Sequence, residues 1–195
     1  MLDLEPAAQQ MARLLDNLRD DQLAGPTPCP DYALGTLVDH VDGLSKAFAE
    51  AATKDLTTLT GQAPSPDASR LDDTWRARVP AQLSVLAEAW RDPAAWEGMT
   101  RAGGVDLPGA AAGQVALNEL VIHGWDIARA SGQDFACDPA ALDSSMEFVS
   151  AMSAPGVSRE GLFGPVFDVP PDAPLLDRMI GLSGRDPGWR PDQAR

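Results

Sequence analysis

His40 and His123 are the only two histidines in the chain. His123 lies in "NELVIHGWDIARASG", residues 118–132, four positions after Glu119 and three before Asp126. On a helix, residues three and four apart share a face, so Glu119, His123 and Asp126 point the same way. Val115, Leu117, Leu120, Val121 and Ile127 surround that row, so it is not a freely solvated charge stripe. A carboxylate and an imidazole directed into a core must be paired or must bind something. His40, three residues after Leu37 and four before Leu44, falls on or beside the apolar face of a second helix. Two imidazoles and a carboxylate from two helices suit a divalent metal inside a bundle, and three protein ligands leave a coordination position open. The bland alternative is that both histidines are satisfied core residues. Asp126 is either a partner or base near the metal, or an acid paired with Arg129.

The elements that must carry these residues are helical. Leu4, Ala7, Met11, Leu14 and Leu18 repeat at helical spacing over residues 3–20. "GPTPCPD", 25–31, breaks the pattern. A second helix is expected from about 34 to 52, with Leu37, Val41, Leu44 and Phe48 on one face, followed by a surface loop at 60–69. A third should run over about 70–90, with a kink at Pro80. Two short runs around Gly103-Gly104 read as a β-hairpin or an extended excursion. The fourth helix, about 109–130, ends before Gly132, a good left-handed cap. A fifth starts at Asp138-Pro139. Residues 153–174 read as an extended surface stretch, 174–182 as a short helix, and the remainder as a frayed tail. The sum is an all-α fold, most simply an up-down four-helix bundle with a small hairpin insertion and a short C-terminal extension. The expected division is a bundle over 1–153 and a Pro/Gly-rich extension over 154–195 packed on it.

Charge removes several function classes. The net charge of −14 opposes nucleic-acid and anionic membrane surfaces, both of which recruit clustered Lys and Arg. No apolar run reaches the ~20 residues of a membrane span. The N-terminal residues carry acids and no basic region, so no signal peptide is read and a cytoplasmic location is expected. Cys29 and Cys137 match no CxxC spacing and read as free, buried thiols of a reducing compartment.

"TPCPDYALGTLVDHVDGLSKAFA", 27–49, resembles the segment around the first metal-binding histidine of DinB/YfiT-like metalloproteins. More narrowly, it is similar to the actinobacterial subgroup related to the metal-binding domain of mycothiol-dependent maleylpyruvate isomerase. "NELVIHGWDIARASGQ", 118–133, resembles the second signature of that subgroup, and "PLLDRMIGLSGRDPGW", 174–189, its usual ending. The resemblance implies a DinB-like four-helix bundle with His40, Glu119 and His123 as metal ligands. Relatives usually carry Trp-Thr where this chain has Tyr32-Ala33, so the hydroxyl cap of the second helix must be replaced, by Thr36 or Asp31.

The resemblance implies a metal-dependent enzyme activating a low-molecular-weight thiol such as mycothiol, for S-transfer or isomerisation of a small electrophile. Zinc suits a two-His, one-Glu set best, with nickel or iron as alternatives. The other reading is a non-catalytic, metal-stabilised binding or stress-response module; a site closed by a fourth ligand such as Asp126 would favour it. The expected partners are a small-molecule substrate or thiol and a second copy of the chain in a homodimer. Trp125 reads as wall or core, Cys29 as packing beneath its loop, and Asp39 and Asp42 as solvent-facing. Arg101, Arg159 and Arg178 are candidates for an anionic substrate.

Overall fold

The structure, a computed structural model, describes residues 1–56, 59–159 and 162–193. Four helices form the bundle: α1 (Glu5–Asp16), α2 (Leu34–Thr53), α3 (Trp75–Ala89) and α4 (Gly109–Ser131). α1 and α2 each pack against both α3 and α4. The two long connections, α1 to α2 and α3 to α4, therefore cross the diagonals. Met11, Leu37, Val41, Val79, Leu86, Leu117 and Ile127 are fully buried between the four. α5 (Pro139–Met152) lies on α4, and α6 (Leu175–Leu182) on α5. No helix among the described residues is long and apolar enough to cross a membrane.

The start of α2 matters because His40 hangs from it. Its N-cap, Ala33, makes no side-chain cap bond. Neither Thr36 nor Asp31 substitutes; the carbonyls of Gly25 and Leu23 accept the Leu34 and Gly35 N–H groups at 2.9 and 2.7 Å instead. A Cβ at Gly35 would stand 3.1 Å from the Leu23 carbonyl oxygen, so glycine permits this backbone cap. The helix is thus anchored by the preceding loop rather than by a hydroxyl.

α1 is shorter than its apolar period. It stops at Asp16, and a 3-10 turn at Asp20–Gln22 follows, although Leu18 stays buried. α3 begins at Trp75, not near 70, because the Asp72 carboxylate takes the Thr74 N–H and hydroxyl and turns the chain there. The helix then continues past Pro80 without a break. Arg70, displaced into a 3-10 turn, donates to Asp39 at 2.6 Å. Asp42 accepts from Lys46 at 2.8 Å and from Arg78. Asp39 and Asp42 are therefore buried, contrary to the solvent-facing expectation, because α3 and the Ala68–Arg70 turn cover the face of α2 that they occupy.

The hairpin is present as β1 (Met99–Ala102) and β2 (Val105–Pro108), joined by Gly103 and Gly104, both at positive φ. The Thr100 hydroxyl ties it to the Ala51 carbonyl at 2.6 Å. α4 ends on left-handed Gly132, and Asp138 caps α5 through the Ala141 N–H. Of the stretch read as surface-extended, residues 160 and 161 lie outside the described residues. The flanking chain is pinned. The Phe167 N–H bonds the Gly181 carbonyl, and Arg159 reaches the carbonyls of Gly164 and Leu182 at 2.8 and 2.6 Å. The tail is not frayed at its start: Arg185 is buried, and Trp189 packs on the core. Its last two residues lie outside those described.

Candidate metal centre

α2 and α4 bring the two histidines face to face, with ring centroids 4.9 Å apart and planes nearly perpendicular. Glu119 Oε2 lies between them, 3.3 Å from His40 Nε2 and 3.1 Å from His123 Nε2. One ligand atom from each of the three falls within 4.8 Å of the others. Both imidazoles are buried, whereas 27% of the Glu119 side chain is exposed, so the cluster meets solvent through the carboxylate. The Tyr32 ring packs against His40 at 5.3 Å. The donor set, two imidazole nitrogens and one carboxylate oxygen converging at one point, fits a divalent metal of the zinc type.

His123 is oriented from behind. Its Nδ1 lies 2.9 Å from Asp126 Oδ2, and Asp126 is fully buried. The expected alternative partner, Arg129, turns elsewhere, stacking on Trp125 and donating to the Pro187 carbonyl. Asp126 instead pairs with Arg185, which donates from Nη2 at 3.1 Å and from Nε at 3.3 Å, and from Nη1 to the Ser183 carbonyl at 3.0 Å. Gly184, at φ +87°, makes this return possible and passes so close to Gly164 that a Cβ would clash at 2.9 Å. Arg185 escaped sequence reading because it lies in a Gly- and Pro-rich tail with no periodicity.

Electrostatics follow from this chain of contacts. Burial alone would raise the Glu119 carboxyl; hydrogen bonds from His123 and His40 overcome it and hold it well below the usual carboxylate range. Burial would lower His123, but hydrogen bonds to Asp126 and Glu119 push it up to about 9. Burial also opposes the Asp126 charge, and the Arg185 guanidinium more than compensates, keeping the carboxyl low. Without a metal, His123 is a cation held between two carboxylates.

A cleft opens beside the cluster. Glu119, His123 and Arg185 line it together with Asn118, and its apolar wall includes Ile122, Phe148 and Phe163. Asn118 and Phe148 lie on helices and Phe163 in the Pro- and Gly-rich stretch, and no spacing or motif marked any of the three. Arg101, Arg159 and Arg178 do not line it: Arg101 pairs with Asp106 inside the hairpin, and Arg159 is engaged by the Ser153 hydroxyl and the Gly164 and Leu182 carbonyls. Trp125 is core, at 1% exposure. Cys29 is buried beneath its loop, Cys137 is half-buried, and both are free thiols. Burial, first of all, pushes Cys29 up to about 11 and Cys137 up to about 12.

The family model described as the mycothiol maleylpyruvate isomerase N-terminal domain matches residues 4–128. Two uncharacterized proteins of Mycobacterium tuberculosis, from strains CDC 1551 / Oshkosh and ATCC 25618 / H37Rv, are each 26% identical over 180 residues, covering 92% of this chain and 93% of theirs. Among solved structures, the mycothiol-dependent maleylpyruvate isomerase superposes with a TM-score of 0.60 at 18% identity, covering 80% of this chain and 70% of that one. A histidine-to-alanine mutant of that enzyme superposes with a TM-score of 0.57 over the same shares. At this identity the structural likeness speaks for the fold, a helical bundle of the same kind.

Proposed function

Since this chain belongs to the family of the mycothiol maleylpyruvate isomerase N-terminal domain, we propose that it holds a divalent metal, zinc by preference, on His40, Glu119 and His123, and activates a low-molecular-weight, mycothiol-like thiol for S-transfer or isomerisation of a small electrophile. A metal bound there supplies Lewis acidity, lowering the pKa of a thiol or water in the open position. Asp126 accepts the Nδ1 proton of His123 and so fixes the ring with Nε2 toward the metal position, where it would ligate once its own proton is released. Arg185 balances the Asp126 charge and keeps it ionised. Phe148 and Phe163 give the cleft beside Glu119 an apolar wall.

The observation that carries this reading is the direction of Asp126. It is committed to His123 Nδ1 and to Arg185, behind the imidazole, and does not close the cluster as a fourth ligand. A metal held by these three residues would keep a position free of protein ligands, with the cleft lined by Glu119 and His123 beside it, and this favours turnover over a closed, purely structural site. In this reading Asp126 is a positioning residue, not the base.

Elemental analysis of the purified protein after mild dialysis tests it. One equivalent of metal is expected in wild type and none in His123→Ala or Glu119→Ala. A wild-type protein that arrives without metal and does not take up added zinc or nickel would sink the reading, leaving both histidines as core residues.

A further inference from the structure

The cleft beside Glu119 and His123 has a free volume of about 20 Å3, room for one water. Sites that take small molecules are ordinarily of the order of several hundred Å3. A reactant therefore reaches the cluster only if part of the wall gives way. Most of that wall is fixed. Asn118 and Ile122 belong to the buried middle of α4, and Phe148 stands on α5. Arg185 is held by Asp126 and by the Ser183 carbonyl. Leu162 and Phe163 come from the non-helical stretch. Leu162 stands at the mouth, 47% exposed. Phe163 is half-buried: its ring meets Phe148 edge-on with centroids 6.2 Å apart, and the Arg159 guanidinium lies over it at 5.4 Å. The backbone at Phe163 is tied down. Its N–H donates to the Arg159 carbonyl at 3.0 Å, and the adjacent Gly164 lies against Gly184. Rotation of the side chain is the motion left to this part of the wall.

We propose that Phe163 is the gate of the cleft and sets the size of the molecule admitted to the cluster, with Arg159 as its latch. This rests on the proposed function for the site it guards, but not on the identity of the thiol or the reaction. Closed, the ring lies between Phe148 and Arg159 and keeps the space beside Glu119 to one water. Turned outward about its χ1, it clears the way to the carboxylate, which is the most exposed member of the cluster. Arg159 keeps its place over the ring through its own bonds to the Ser153 hydroxyl and the Gly164 and Leu182 carbonyls. A gate that is closed most of the time weakens the apparent binding of a bulky ligand by the fraction of molecules standing open.

Cobalt-loaded full-length protein reads the gate through the visible absorption of the bound ion. The probes are azide, a slim anion, and 4-phenylimidazole, which needs the space that the Phe163 ring fills. Phe163→Ala should gain about tenfold in affinity for 4-phenylimidazole relative to azide, as expected where the open form is a minor population. Arg159→Met, which unlatches the ring but leaves it in place, should move that ratio the same way by less. Phe163→Trp should move it the other way. An unchanged ratio in Phe163→Ala overturns the inference, and so do equal gains for both probes, which mark a loosened bundle. Protein that takes up no cobalt overturns the proposed function and leaves the gate to a second reading. His40 and His123 are the only histidines, so their carbethoxylation by diethyl pyrocarbonate reports access to the cluster in metal-free protein. Faster reaction in Phe163→Ala at an unchanged melting midpoint sustains the gate. Equal rates, or a gain that comes with a fallen midpoint, overturn it.

Discussion

On one side of α2, Asp39 and Asp42 meet the guanidinium groups of Arg70 and Arg78; on the other, His40 meets a carboxylate that it shares with His123. Both sides bury charge, yet they differ in what remains unspent. The aspartates are matched by cations with no other chemistry to perform, so that cluster only ties α3 and the 68–70 turn to α2. Across the helix, two imidazoles and one carboxylate hold lone pairs that a metal can use, and the matching cation, Arg185, sits one residue further back, on Asp126. Permanently charged partners make a joint. Titratable partners braced from behind make a site.

The comparison breaks most visibly at the brace. Asp126→Ala leaves Arg185 buried without its carboxylate, and a loss of about 3–5 kcal/mol of stability is expected in denaturant unfolding. The same variant should weaken zinc binding by about 10–100-fold in a chelator competition, since His123 loses its orienting partner. Next comes the joint. Asp42→Ala should cost about 2 kcal/mol through the charged hydrogen bonds from Arg78 and Lys46 and leave the metal stoichiometry unchanged. If it also lowers metal content, the two sides of α2 are coupled and the contrast fails.

Proton competition sharpens the contrast further. With His123 raised from 6.5 to about 9, the metal-free imidazole carries protons on both nitrogens at neutral pH. Binding through Nε2 must release one, so zinc affinity should rise about tenfold per pH unit from pH 7 and flatten above about 9. The metal-free fold shows the opposite sign. The raised pKa contributes stability that is complete below about 6.5 and lost as pH rises through 9. Isothermal titrations across that range read the first effect and thermal melts the second. The smallest effect belongs to Arg70→Ala: its side chain is 55% exposed, and its unfolding midpoint should shift least of the three variants in the same assay.

Much of this was legible because helices repeat. The spacing of Glu119, His123 and Asp126 fixed one row, and His40 between Leu37 and Leu44 fixed its counterpart; the structure places all four where those periods put them. The four bundle helices, the hairpin at Gly103-Gly104, the Gly132 cap and the Asp138 cap were readable for the same reason: local geometry decides them. What failed was decided at a distance. Asp39 and Asp42 read as solvent-facing because α2 has one evident apolar stripe, but α3 and a 3-10 turn cover a second face. The cap of α2 is a pair of carbonyls from a loop, which no residue type announces. Arg129, three residues from Asp126, was the natural partner on a helix, yet the true one is 59 residues away.

That last separation has a consequence for biogenesis. Chains emerge from the ribosome N-terminal end first, so α2 and α4 can pack while the segment bearing Arg185 is still being made. At that moment Asp126 is buried without its guanidinium, and His123 has a restless anchor. Arrival of the loop at Gly184 locks the last counter-charge into place, so the grip on a captured ion should tighten only once the segment carrying Arg185 has been made.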